Sequence, residues 1–192
     1  MEDIIRFILE LEKLKGVTRK VKPVGLDRYE NSAEHSWQIA MLAAALYPHT
    51  DGKLDPDRVI RMLLVHDVGE IATGDTMVFV EEAAEERKAA ESAEVHRIFK
   101  TLPAGTGTSF IALWEEFEEG ATPEARFAHA ADRAMPVLLN LANRGQSWRE
   151  NGISHDRVVA KIGPPVEKGC PALWAYLEPE LERARAQGFF GA

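Results

Sequence analysis

An all-α fold of six to eight helices is predicted for this chain, and three observations carry that expectation. Apolar residues recur at three- and four-residue spacing along most of its length. Helix-start signals precede several of these runs: a capping side chain followed by Pro, or by Glu three places on. No alternating apolar–polar stretch of useful strand length occurs, and there is no internal repeat.

Taken in order, Ile4, Phe7, Ile8, Leu11 and Leu14 form one apolar stripe with Glu10, Glu12, Lys13 and Lys15 between them. This is an amphipathic helix, stopped at Gly16. Residues 17–30 hold Pro23 and Gly25, show no period and read as an irregular loop. Asn31, Ser32, Ala33 and Glu34 make a capping box, so a helix starts there, carries an apolar face of Trp37, Ala40, Met41 and Ala44, and ends at Pro48. Asp55 and Pro56 start another, running to Val68 and so apolar from Val59 to Val65 that it should be central. Gly69 and Gly74 break the pattern around a polar turn, and residues 81–102 are helical again with Val95, Ile98, Phe99 and Leu102 inward. Residues 103–109, rich in Gly and Thr, read as a linker. Helices over 110–119 and 122–144 come next, the second capped by Thr122 and Pro123 and loosened at Pro136. A last helix covers about 171–187.

At roughly 150 residues per domain, the 192 residues predict one domain, 1–192. Hydrophobic residues at 45 % and charged ones at 28 % describe a globular chain rather than a disordered one. The net charge of −8 argues against nucleic acid as a partner, since phosphate backbones require a basic footprint. A small phosphorylated substrate stays open, because one cation reverses the field locally. With Cys170 as the only cysteine, no internal disulfide is possible. The longest apolar run, 39–47, falls short of the ~20 residues of a membrane span. Glu2 and Asp3 open the chain without a basic segment and apolar core, so a cytoplasmic protein with no signal peptide and no membrane is expected.

The chemistry centres on His66 and Asp67, at the end of the most apolar helix. An imidazole and a carboxylate are costly to bury there unless paired or bound to a cation. His35 lies one turn inside the capped helix, and Asp132 lies in an otherwise apolar helical segment. Two imidazoles and two carboxylates form a mixed N/O donor set suited to one divalent ion: Mn²⁺, Fe²⁺, Co²⁺, Zn²⁺ or Mg²⁺. The set has no thiolate to favour a closed structural zinc site. Four protein ligands leave positions for water and substrate.

His35, then His66-Asp67, then Asp132 resembles the H…HD…D signature of the HD-domain metal-dependent phosphohydrolases. The flanks, 31–38, His66 to Glu70, Thr73-Gly74-Asp75 and Ala131-Asp132-Arg133, look like the bacterial 5′-deoxynucleotidase branch. The resemblance implies an all-α HD fold and a mononuclear metal site formed by His35, His66, Asp67 and Asp132. It also implies phosphate release from (deoxy)ribonucleoside 5′-monophosphates, and a homodimer. It makes Glu70, three residues beyond Asp67, the general acid/base. It makes Arg19 a clamp on the substrate phosphate, suited by its guanidinium fork. Asp75 matches a position near the nucleotide, or is an Asx cap for the segment after it.

Two positions depart from the pattern. Lys20 stands where relatives carry an aromatic or apolar residue, and His129 replaces a lysine three residues before Asp132. His129 shares a helix face with Asp132 and is assigned to the phosphate side, with a place in the metal shell or in core packing as alternatives. Glu34 is explained by the capping box. Residues 81–94 read as a solvated acidic face, with Glu91 as the residue able to approach the cleft. Ser154, His155 and Asp156 are consecutive, so they are no nucleophilic triad, and Ser154 is a helix cap. The glycines of 105–107 lack a phosphate loop's Gly-Lys ending.

Two other functions remain compatible with the sequence. A dinuclear HD phosphodiesterase would need further imidazoles, available only from His96 or His129. A metal-bound binding protein without turnover would have little use for Glu70 and Arg19.

Overall fold

The structure is a computed structural model and describes residues 1–50 and 53–191. It is built of helices: α1 Glu2–Leu11, α2 Ser32–Leu46, α3 Pro56–Val65, α4 Glu70–Thr73, α5 Ala84–Phe99, α6 Ala104–Glu119, α7 Pro123–Ala142, α8 Gln146–Glu150, α9 His155–Gly169 and α10 Pro171–Ala186. Eight of these have ten or more residues, while α4 and α8 are single turns. The only β pairing among the described residues is an isolated antiparallel bridge, Thr18 to Asn31. No described helix is long and apolar enough to cross a membrane.

The predicted starts hold at atomic detail. The Asn31 side chain accepts the Glu34 N–H at 2.9 Å, and the Glu34 carboxylate accepts the Asn31 N–H at 3.2 Å. Asp55 accepts from Arg58 N at 3.1 Å, and Thr122 from Ala125 N at 3.1 Å, each ahead of a Pro at the first helical position.

α7 is the axis of the molecule. It packs on α2, α3, α6, α9 and α10, and Ala125, Ala128, Ala130, Ala131 and Ala134 are almost wholly buried along it. Small side chains there let neighbouring helices approach closely. The helix continues through Pro136, whose missing N–H falls opposite the carbonyl of Asp132, four residues back. Asn140 stitches the next segment to it: its amide donates to the Pro136 carbonyl at 2.9 Å and accepts from Ser147 N at 3.0 Å and Trp148 N at 3.3 Å.

Several sequence expectations need correction. Residues 103–109 are not a linker: Pro103 is the N-cap of α6 and 104–109 are its first turns. Gly105 and Gly107 disfavour a helix intrinsically, yet a Cβ at Gly107 would run into the Phe99 carbonyl, so the absent side chain is what lets α6 seat on α5. The helix beginning at Pro56 ends at Val65 rather than Val68. The sequence signals α9 only by its Ser154 cap, because Pro164 and Pro165 lie inside it and mask its period. Residues 17–30 are ordered: Arg19 N donates to Glu30 O at 2.9 Å, Glu30 N to Val21 O at 2.9 Å, and Ser32 N to Val17 O at 3.1 Å.

Candidate metal centre and phosphate cleft

Three helices deliver the first group of donors. The capping box fixes where α2 begins and so sets His35 on its inner face, fully buried at 0 % exposure. α3 stops at Val65, and the chain then turns through bonds from Val68 N to Val65 O and from Glu70 N to Asp67 O. Those tight turns let adjacent residues converge, which a regular helix forbids: His66 Nε2 is 2.8 Å from Asp67 Oδ1. α7 supplies Asp132, whose Oδ1 lies 3.0 Å from His35 Nε2 and 3.9 Å from His66 Nε2. Donor atoms of His35, His66 and Asp132 all lie within 4.8 Å of one another, and all three residues are buried.

This group fits a cation on the structure's own terms. His66 Nδ1 bonds the Leu63 carbonyl at 2.8 Å, which commits its proton and turns the Nε2 lone pair toward the carboxylates. Nε2 is buried and, although 2.8 Å from Asp67 Oδ1, lacks hydrogen-bond geometry to it, a costly arrangement that a metal resolves. The field agrees. Burial opposes charge on His66, but Asp67, Asp132 and Glu70 outweigh it and push the imidazole up to about 9. Burial also works against an ionised Asp132, yet Arg133, His35 and His66 hold it well below the usual carboxylate range. Asp67 is likewise lowered by His66 and Arg19 against its burial. Trp114 donates its indole N–H to the His66 carbonyl at 3.0 Å and fixes the turn from behind.

Beside these donors opens a cleft of about 600 Å³. Arg19 sits at its inner end with Nη1 3.2 Å from Asp67 Oδ2 and 3.1 Å from Asp75 Oδ1. Asp75 therefore holds the guanidinium; burial raises its carboxyl and Arg19 opposes the shift. Glu70 accepts the Ser32 hydroxyl at 2.6 Å. Burial, then Asp67, pushes its carboxyl up to about 9, against the pull of Arg19. Glu91 reaches the same wall and accepts the Thr73 hydroxyl at 3.1 Å. Lys20 and Arg133 also line the cleft.

His129 does not join them, and its assignment to the phosphate side is corrected. Its ring stacks on Phe117 at 4.2 Å, its Nε2 bonds the Phe117 carbonyl at 2.7 Å, and it lies outside the cleft lining. Burial lowers its pKa, as expected for a neutral packing imidazole. Glu34 is engaged with the Asn31 backbone and with Arg28, as its capping role requires.

Two contributors escape a reading of the sequence. Ser32 is legible only as part of a cap, although its hydroxyl serves Glu70. Glu30, one residue before that cap, is 1 % exposed and faces both Arg19 and His35. Its only signal in the sequence is an acid preceding a helix start, which is commonplace.

Comparison with known proteins places this geometry in context. A structure from Magnetospirillum magnetotacticum MS-1, described as a "Predicted metal-dependent phosphohydrolase", superposes with a TM-score of 0.91 at 34 % identity, covering 100 % of this chain and 98 % of that one. The 5′-deoxynucleotidase HDDC2 of Xenopus laevis is 32 % identical over 139 residues, covering 70 % of this chain and 68 % of the relative. A bacterial 5′-deoxynucleotidase from Erwinia tasmaniensis is 31 % identical over 127 residues, covering 62 % and 64 %. These alignments span about two thirds of each relative's length. An HD domain family model matches residues 11–174, which takes in all four residues of the H…HD…D pattern, and the chain belongs to the HD domain family.

Proposed function

We propose that this chain is a metal-dependent phosphomonoesterase that releases inorganic phosphate from nucleoside 5′-monophosphates, deoxyribonucleotides above all. The observation that carries the reading is the convergence of buried donor atoms from His35, His66 and Asp132 within 4.8 Å of one another, with Asp67 Oδ1 2.8 Å from His66 Nε2. His35, His66, Asp67 and Asp132 would hold one divalent ion, and their N/O set suits Mn²⁺, Fe²⁺, Co²⁺, Zn²⁺ or Mg²⁺. Such an ion supplies Lewis acidity toward a phosphoryl oxygen and makes water a competent nucleophile at neutral pH.

The chain's own residues do the rest. Arg19 offers a guanidinium at the inner end of the cleft, held by Asp67 and Asp75 in reach of a phosphate dianion. Glu70, with its pKa near 9, carries a proton at neutral pH and hands it to the departing sugar 5′ oxygen. Ser32 keeps that carboxyl oriented. The cleft volume suits a nucleotide-sized ligand, and Met77, Val78 and Phe79 give one stretch of its lining an apolar character suited to a base. The relatives named as 5′-deoxynucleotidases support the substrate class. Against the diesterase alternative, neither His96 nor His129 lines the cleft, so the extra imidazoles of a dinuclear site are not in place among the described residues.

A homodimer in the cytoplasm completes the reading. Its support is the exposed apolar residues Ile5, Ile8 and Leu9 on α1, and Trp37 and Met41 on α2. Light scattering tests it directly, since a monomer at micromolar concentration refutes it.

The test of function is phosphate release from ribo- and deoxyribonucleoside 5′-monophosphates, using metal-stripped protein reloaded with Mn²⁺, Co²⁺, Mg²⁺ or Zn²⁺. Turnover that needs metal and favours deoxy substrates is expected. Silence across the panel with metal bound would reject the substrate class.

A further inference from the structure

Among the described residues, Glu30 is the most deeply buried carboxylate that the proposed chemistry leaves without a task. Its side chain is 1 % exposed, and burying a carboxylate is costly unless its oxygens find donors. It has two neighbours. Oε2 lies 3.4 Å from Arg19 Nε and 3.6 Å from His35 Nδ1, and these three atoms are all buried without a hydrogen-bond partner at those separations. One neighbour belongs to the phosphate clamp and the other to the metal cluster. Among the described residues, no other side chain pairs with both.

The backbone gives Glu30 little freedom to move. Its N–H donates to Val21 O and its carbonyl accepts from Arg19 N, both at 2.9 Å, beside the bridge from Thr18 to Asn31. The next residue is the N-cap of α2, which carries His35 one turn on. Arg19 and His35 thus hang on two segments that Glu30 joins, through its main chain to the first and through the cap to the second.

We propose that Glu30 is a positioning residue: one carboxylate oxygen receives the N–H of Arg19 Nε and the N–H of His35 Nδ1, tying the phosphate clamp to the metal ligand. The inference rests on the metal-dependent reading above. A proton kept on His35 Nδ1 frees the Nε2 lone pair for a cation shared with Asp132, whose Oδ1 lies 3.0 Å away, the role carboxylates play behind metal-bound imidazoles. With Arg19 Nε anchored, the Nη atoms are the ones presented to Asp67, Asp75 and the phosphate.

The experiment uses Glu30→Gln in the full chain, which keeps the volume and replaces one acceptor oxygen by a donor amide. Mn²⁺ affinity is read by calorimetry, the Co²⁺ visible spectrum reports ligand orientation, and kcat and KM are read separately. In a folded variant, a 10- to 100-fold weaker Mn²⁺ affinity is expected, with an altered Co²⁺ spectrum and a raised KM at saturating metal. In an Arg19→Ala background, Glu30→Gln should no longer weaken competition by inorganic phosphate, yet should still weaken Mn²⁺ binding. If Glu30→Gln does not fold, Glu30→Asp is read instead: the charge is kept but withdrawn from both neighbours, and Mn²⁺ affinity and KM must both worsen.

A folded variant with Mn²⁺ affinity within twofold of wild type, or one that loses only thermal stability, overturns the proposal. Wild-type protein that binds Mn²⁺ but hydrolyses no monophosphate defeats the function and leaves Glu30 to be judged on affinity and spectrum. Wild-type protein that binds no Mn²⁺ defeats both.

Discussion

Replacing Glu70 by Gln removes one proton from the cleft and little else. The amide keeps the side chain's length and can still accept the Ser32 hydroxyl that now lies 2.6 Å away. Burial and Asp67 push the Glu70 carboxyl up to about 9 in the absence of a cation, so it enters the cycle protonated at neutral pH. General acid catalysis of this kind is worth about 10²–10⁴ in rate, or roughly 3–5 kcal/mol of barrier. Metal-loaded Glu70→Gln should therefore lose that factor in kcat while retaining one metal per chain, measured by phosphate release and elemental analysis on the same sample. The wild-type rate should fall above the Glu70 pKa as the acid deprotonates. A divalent ion beside it moves that limb below 9, and the variant's profile should lack the limb altogether. A phenolic phosphate ester, whose leaving oxygen needs no proton, should suffer a much smaller loss. Full activity in Glu70→Gln, or metal lost together with activity, would refute this assignment.

Asp67→Asn removes a charge that faces both His66 and Arg19, so metal content and phosphate release should disappear together; elemental analysis showing a full complement of metal would contradict the ligand set. Because carboxylates draw a proton onto His66 with a pKa of about 9, protons compete with the cation. Calorimetric Mn²⁺ affinity should accordingly rise with pH, by up to about tenfold per unit, and level off above that value; affinity flat from about pH 6 to 8 would contradict it. Gly69→Ala places a Cβ 2.7 Å from the Glu91 Cβ. Overpacking of that kind costs about 1–3 kcal/mol, at roughly 2–4 °C of Tm per kcal/mol for a chain of this size. An unchanged calorimetric Tm would mean that α5 yields freely there.

The parts of the molecule legible in the sequence are those set by local rules. The Asn31, Asp55 and Thr122 caps act within four residues, so their hydrogen bonds follow from the sequence alone. The four residues of the H…HD…D pattern are visible because ionisable groups in apolar runs are conspicuous. What stays hidden depends on tertiary neighbours. Gly107 favours a linker until the Phe99 carbonyl is beside it, and Pro164 and Pro165 read as breakers until α9 is seen packed on α7 and α10. His129 shares a helix face with Asp132, as its spacing requires, but Phe117 lies across it and takes both its ring face and its Nε2. Glu30 carries no periodic or motif signal, since its place depends on pairing with Arg19 across a loop that shows no pattern.

The crowding of acids at the inner end of the cleft bears on the order of events. Asp67, Glu70, Asp75 and Asp132 gather around Arg19, which pairs directly with Asp67 and Asp75. A phosphate dianion entering without a cation meets carboxylates first, whereas a bound cation reverses the sign of the field it encounters. The two ligands are then thermodynamically linked, and linkage is symmetric: whatever factor the cation adds to nucleotide affinity, the nucleotide adds to cation affinity. At limiting metal the nucleotide would thus recruit its own cation, and the occupied fraction of the protein would track nucleotide supply as closely as it tracks metal supply.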